Sequence, residues 1–183
     1  MLHLDVATAN RRHLCLSAPN QEDGASCPLF QLKGEYNMNC NYQKSCVEVY
    51  NNTPTTINPT VNGGVPAVFG NTATRTGCSM SVNTNGVTIE HGGLYEFNFD
   101  ASYLNGATAG TLTAQLYKDG SPVGSALAND ELTANGIGNM SFSTRLKVPT
   151  CCAVQPVFTV VFTGTLATAV TIQHVALGVT RLA

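Results

Sequence analysis

Four histidines, eleven carboxylates and seven cysteines are the side chains from which a reaction centre could be built. A histidine beside a carboxylate serves proton transfer, and His, Cys, Asp and Glu at short spacing serve metals. His3, His13, His91 and His174 are scattered through the chain, with no H-E-x-x-H pair. No G-x-S-x-G elbow is present to expose a nucleophilic serine. Glu90-His91 is the immediate acid–histidine pair, but Gly92-Gly93 follows it, so it reads as a surface turn and not as a base. His174 alternates with Gln173 and Val175, which reads as a polar residue satisfied in the core or at a subunit contact. Calcium takes about six or more oxygen ligands, and the turn-like stretches at Asp119 and Asp130-Glu131 supply few carboxylates. The expectation is a protein without cofactor or metal, and not an enzyme.

An odd number of cysteines leaves at least one unpaired within the chain. Cys15, Cys27, Cys40 and Cys46 lie in the first quarter without a C-x-x-C knuckle, which argues against a zinc ribbon even with His13 beside Cys15. Reduced thiols, or disulfides formed late in an assembled particle, are the two readings. Cys151 and Cys152 are neighbours and would point to opposite faces of an extended segment, one to the core and one to an interface or the surface.

Only 11% of residues are charged, the net charge is -2, and no Lys/Arg block exceeds Arg11-Arg12. That composition lacks the electrostatic footprint of a nucleic-acid binder. The first fifteen residues or so lack the apolar run of a secretory signal, so the sequons at Asn51-Asn52-Thr53 and Asn139-Met140-Ser141 read as chance. The apolar stretch 153–172 contains Gln155, Pro156 and Gly164, which suits two strands and a turn better than a membrane span.

The elements that must position any site are strands. Tyr95, Phe97, Phe99, Ala101 and Tyr103 alternate with Glu96, Asn98, Asp100 and Ser102, a period of two that gives one apolar face and one wet face. Met140, Phe142, Thr144, Leu146 and Val148 repeat the pattern opposite Ser141, Ser143, Arg145 and Lys147. Further strands are expected at 46–50, 65–69, 78–82, 87–90, 111–117, 122–127 (a short edge), 157–162 and 170–182. Asn83-Thr84-Asn85-Gly86 and Lys118-Asp119-Gly120 read as tight turns. No apolar i, i+3, i+4 pattern persists for three turns, so no helix is expected. About ten short strands at regular spacing mean a sandwich or barrel. Periodicity alone leaves the jelly roll, the immunoglobulin-like sandwich and others open, although an immunoglobulin domain would want a tryptophan and the chain has none.

The segment Gly93-Leu94-Tyr95-Glu96-Phe97-Asn98-Phe99 and the later Leu112-Thr113-Ala114-Gln115-Leu116-Tyr117-Lys118-Asp119-Gly120 resemble the central strands of the tumour-necrosis-factor-like family. That family includes the globular heads of complement's collagen-like first component and of bacterial collagen-like surface proteins. The resemblance covers roughly 61–182 and implies an all-β, jelly-roll sandwich that trimerises as a binding or structural module. Before about residue 45 the sequence keeps no sustained periodicity and clusters its turn formers, which reads as an extended arm or a disordered tail over 1–45 ahead of a domain at 46–183. No Gly-X-Y repeat precedes the domain, so the arm would supply the anchorage of a collagen stalk. A more local likeness, Pro149-Thr150-Cys151-Cys152-Ala153-Val154, is similar to a pattern in proteins of gut Gram-positive bacteria and their phages.

Together these imply a homotrimer on a particle surface, most specifically a phage capsid decoration or head-fibre protein made in the host cytoplasm. Tyr95, Phe97, Phe99, Phe158, Phe162 and His174 are expected in the trimer interface or the core. Val157, Val160 and Val161, with the two phenylalanines beside them, are apolar on both sides of one strand, which suits either a subunit contact or full burial. Cys15, Cys27, Leu29, Phe30, Tyr36 and Cys40 would help the arm grip the major capsid protein or another particle protein. The alternative is a module on a virion, bacterial cell or spore surface that binds a glycan or receptor through loops at 107–110 and 128–138. Those loops hold no Trp, Tyr or Phe, the usual sugar platforms.

Overall fold

The computed structural model describes residues 45–60, 63–149, 155–165 and 169–183. They form twelve strands: β1 (Cys46–Asn51), β2 (Thr55–Ile57), β3 (Val65–Pro66), β4 (Asn71–Thr76), β5 (Met80–Asn83), β6 (Gly86–Ile89), β7 (Gly93–Leu104), β8 (Gly110–Lys118), β9 (Ser121–Leu132), β10 (Ile137–Val148), β11 (Val157–Gly164) and β12 (Val170–Arg181). The residues expected in an anchor, Cys15, Cys27, Leu29, Phe30, Tyr36 and Cys40, the adjacent Cys151 and Cys152, and His3 and His13 lie outside the described residues.

Two antiparallel sheets result. The first runs β10-β7-β12-β1-β4 with β2 also on β12, and the second runs β5-β6-β11-β8-β9 with β3 also on β11. From β6 onward the chain crosses between sheets repeatedly, so sheet neighbours are distant in sequence. This alternation is what a jelly roll requires. The core lies between the sheets, where the apolar alternation of β7 and β10 meets that of β8 and β11. Phe97 tilts against Phe158 at 4.6 Å, while Phe99 stacks on Phe142 at 4.9 Å and tilts against Phe162 at 6.2 Å. The contacts to Phe158 and Phe162 join the two sheets, the one to Phe142 joins neighbouring strands of the first, and each adds about 0.5–1.5 kcal/mol beyond area burial.

The expected strands are present with three corrections. There are twelve and not ten, because β2 and β4 were not expected. Every residue of β4 (Asn-Thr-Ala-Thr-Arg-Thr) is exposed, since it pairs with β1 along one edge and covers no core, so it carries no apolar alternation. The strand expected at 65–69 shrinks to Val65–Pro66. The short edge strand expected at 122–127 extends to Leu132, so 128–132 is strand and not loop. Its polar run reads as a turn only until its bonds are counted: Thr113 donates to Asn129 across the β8–β9 ladder at 2.6 Å, and Asp130 turns inward. The β8–β9 hairpin closes on Asp119 and Gly120, both at positive φ (50° and 78°), as a two-residue Asp-Gly turn demands. Gly86 has another role: a Cβ there would sit 1.9 Å from the Phe158 carbonyl oxygen, so only glycine lets β6 approach β11.

Cys46 is a free thiol, and Cys78 is disulfide-bonded.

Tyr103 of β7 is fully buried, and its hydroxyl donates to the Asp130 carboxylate of β9, tying one sheet to the edge of the other. Gly138 makes room for that ring, because a Cβ there would lie 2.4 Å from the Tyr103 hydroxyl oxygen. Burial first, then the bond to Asp130 and its negative charge, hold the Tyr103 phenol well above its ordinary 10.0. The unfolded chain therefore loses this proton above pH 10 while the folded chain keeps it. Stability from this group is complete below about pH 10 and falls as pH rises beyond it. Denaturant titrations at pH 9 and pH 11 are expected to show that fall, reduced in Tyr103→Phe. At neutral pH the same variant is expected to lose about 1–3 kcal/mol, because Asp130 is left without its donor. An unchanged alkaline slope in Tyr103→Phe would contradict the assignment.

Candidate functional site

The side chains of the first sheet that point away from the core form one continuous face across β10, β7, β12 and β1. Strand alternation builds it, since every core residue sends its neighbours outward. Its floor is small and polar. One row runs Ser143, Asn98, Gly178 and Glu48, and the next runs Ser141, Asp100, Ala176 and Tyr50.

Charges on this face are largely paired within it. Arg145 Nε donates to Glu96 Oε1 at 2.8 Å across the β10–β7 ladder. His174 Nε2 lies 2.9 Å from Asp100 Oδ2, and its Nδ1 lies 2.6 Å from Asn52 Oδ1. A register shift in β12 between Ile172 and His174 aims this imidazole outward, facing β7 on one side and the turn after β1 on the other. At one end the face becomes apolar: Ile137, 74% exposed, stands opposite Leu104, 37% exposed. Leu94 and Leu182 are the exposed aliphatics of the opposite end, their backbones hydrogen-bonded to each other.

The six residues singled out in the sequence fall into two groups. Tyr95, Phe97, Phe99, Phe158 and Phe162 are buried between the sheets, each 2% exposed or less. They hold the sandwich together in the single chain and leave no surface for a second copy. His174 stands apart on the outer face. In β11, Phe158, Val160 and Phe162 face the core, while Val157 and Val161 are half-buried on the other side. The central position of that strand, with β6 and β3 on one side and β8 on the other, accounts for its double apolar character. Glu90-His91 is a connection: the Glu90 amide donates to the Ser79 carbonyl, and the His91 carbonyl accepts from the Tyr95 hydroxyl.

The loops 105–109 and 133–136 meet at one end of the sandwich. Buried Asn105 joins them, its Nδ2 donating to the carbonyls of Thr108 at 2.9 Å and Thr133 at 2.7 Å. Asn135, at φ 56°, adds an amide bond to the Gly106 carbonyl. What sequence reasoning missed is the flat outer face itself. Its signal was there in the wet half of the β7 and β10 alternation, which reads as solvent-facing until the small size of Ser141, Ser143 and Gly178 is noticed.

Among the described residues no three His, Cys, Asp or Glu side chains stand together in a way that could hold a metal ion. None of the described residues forms a helix long and apolar enough to cross a membrane.

No protein-family model and no curated protein matches the chain. Solved structures do. The Eiger tumour-necrosis-factor protein of S. frugiperda superposes with a TM-score of 0.58 at 12% identity, over 77% of this chain and 94% of that one. The globular domain of the zebrafish complement 1qA protein superposes with a TM-score of 0.52 at 18% identity, over 76% and 97%. The chain shares the jelly-roll fold of these two structures. The vertex protein P5 of PRD1 shares it as well, with a TM-score of 0.52 at 11% identity, over 76% of this chain and 73% of that one. At these identities the likeness is one of fold.

Proposed function

We propose that the protein is a non-enzymatic structural module that assembles as a homotrimer on a particle surface, most specifically as a capsid decoration or head-fibre protein of a phage. The outer face of the β10-β7-β12-β1 sheet carries the contact between copies. The observation behind this reading is the composition of that face: a floor of serine, glycine and alanine, a Glu96–Arg145 ion pair, an Asp100–His174 contact, and an exposed Ile137–Leu104 pair at its rim. Small side chains allow close approach, and charges already paired add less desolvation penalty than lone ones when the face is covered. The likeness to a vertex protein supports a place on a virion. The segment 1–45 serves as the anchor, with Cys15, Cys27, Leu29, Phe30, Tyr36 and Cys40 facing a capsid protein or another particle protein. Recognition of a glycan or receptor, on a virion or on a bacterial cell or spore surface, ranks second. Asn105 does gather loops at one end for it, but 105–109 and 133–136 offer no aromatic side chain.

Sedimentation velocity of the full chain tests the assembly and is expected to give a single species of three-chain mass. A single-chain species at micromolar concentration would overturn it. A chain lacking residues 1–44 is expected to keep the three-chain mass and lose attachment to particles, and attachment that persists would remove the arm from the proposal.

A further inference from the structure

A cavity of about 210 Å³ opens where β2, at the end of the first sheet, faces β3, at the end of the second. Both are short, three and two residues, and they wall the gap between β12 and β11 without filling it. Its depth is lined by buried apolar side chains: Ile57, Ala67, Phe162 and Val175. None of the described lining residues is charged.

Several polar groups at the mouth bond within the protein. The Thr55 hydroxyl donates to the Thr53 carbonyl at 3.1 Å, and the Thr56 and Thr171 hydroxyls bond to each other at 3.4 Å. Asn51 Oδ1 accepts from the Thr53 amide at 2.8 Å. A water molecule needs two or more polar partners to be held inside a protein, and the depth of this cavity provides none from its side chains. Apolar cavities of about 150 Å³ stay dry and take up a molecule the size of benzene. The one here is larger.

We infer that this cavity is a binding site for a small uncharged apolar ligand, best matched by a straight alkyl chain of roughly six to eight carbons whose polar end stays at the threonine mouth. A carboxylate or sugar deep in the site would meet no donor, so charged and polyhydroxyl ligands are excluded by the same lining. The site involves neither the outer face of the first sheet nor the loops joined by Asn105, and so it stands or falls apart from the assembly proposal.

The test uses the full chain with 1-octanol, and with ethanol and glycerol as controls, read by isothermal titration and by thermal midpoint. Saturable binding of 1-octanol at one site per chain, with a concentration-dependent rise in midpoint, is expected. Ethanol and glycerol should give neither. Ala67→Leu fills the depth, and Val65→Phe fills the β3 wall as a second, separately folded check. Each is expected to weaken octanol binding at least ~10-fold, with the far-ultraviolet circular dichroism unchanged. Absence of saturable binding to the natural chain would overturn the inference, as it would if another copy or the chain's own residues occupied the cavity. Equal binding in both filled variants would place the octanol elsewhere and overturn it too.

Discussion

On the assembly proposed above, Gly178→Arg is expected to turn three-chain particles into folded single chains. Gly178 lies in the middle of the outer face, between Asn98 of β7 and Glu48 of β1. Within one chain the substitution is tolerated, because a Cβ there meets no atom nearer than the Asn98 carbonyl oxygen at 3.8 Å. Between chains it is not. A long side chain rising from a floor of serine, alanine and glycine holds a second copy away. Glu48 can offset its charge but not its bulk. Forced overpacking of a closely fitted surface costs roughly 1–3 kcal/mol per site, and each assembly contains the site three times. Association is therefore expected to weaken at least ~100-fold. Sedimentation velocity across a dilution series reads the mass, and circular dichroism checks the fold. A Gly178→Arg protein that stays three-chain at the natural concentration dependence would show that this face is not the contact.

Phe99→Ala has the largest expected effect on the fold itself. Phe99 is 2% exposed and touches both sheets, stacking on Phe142 of β10 and tilting against Phe162 of β11. Truncation removes the ring from the centre of the sandwich and leaves a void that neighbours on three extended strands cannot collapse to fill. A loss of about 3–5 kcal/mol is expected, with a fall in thermal midpoint of roughly 10 °C or more. Phe99→Leu, which keeps much of the volume, should lose far less. Denaturant unfolding of the two variants separates them, and a loss below about 1 kcal/mol in Phe99→Ala would mean that the aromatic cluster is not what joins the sheets.

Much of this fold is legible before any coordinates, and the reasons are local. In β7 and β10 the alternation is nearly unbroken, because each strand has one face on the core and one outside. What stays hidden is what depends on a partner far along the chain. β4 has no apolar residue larger than alanine, so only its pairing with β1 makes it a strand. Asp130 looks like a turn residue until Tyr103 is seen to reach it from the other sheet. Phe158 and Phe162 suit a core or an interface equally well in sequence. The position of β11 within its sheet decides between them, and periodicity carries no information about sheet order. His174 could not be placed for a related reason: a register shift at Gln173 moves it relative to a simple alternation.

The seat of β12 has a consequence for synthesis. This strand lies between β7 and β1, yet it is the last of the described strands in chain order. While it is still inside the ribosome, the nascent polypeptide has a gap at the centre of one sheet, with unsatisfied backbone donors and acceptors along the facing edges of β7 and β1. Pairings this remote in sequence are slow to form, and open edges invite wrong partners. The half-made molecule is therefore at its stickiest until β12 has emerged and seated itself between β7 and β1.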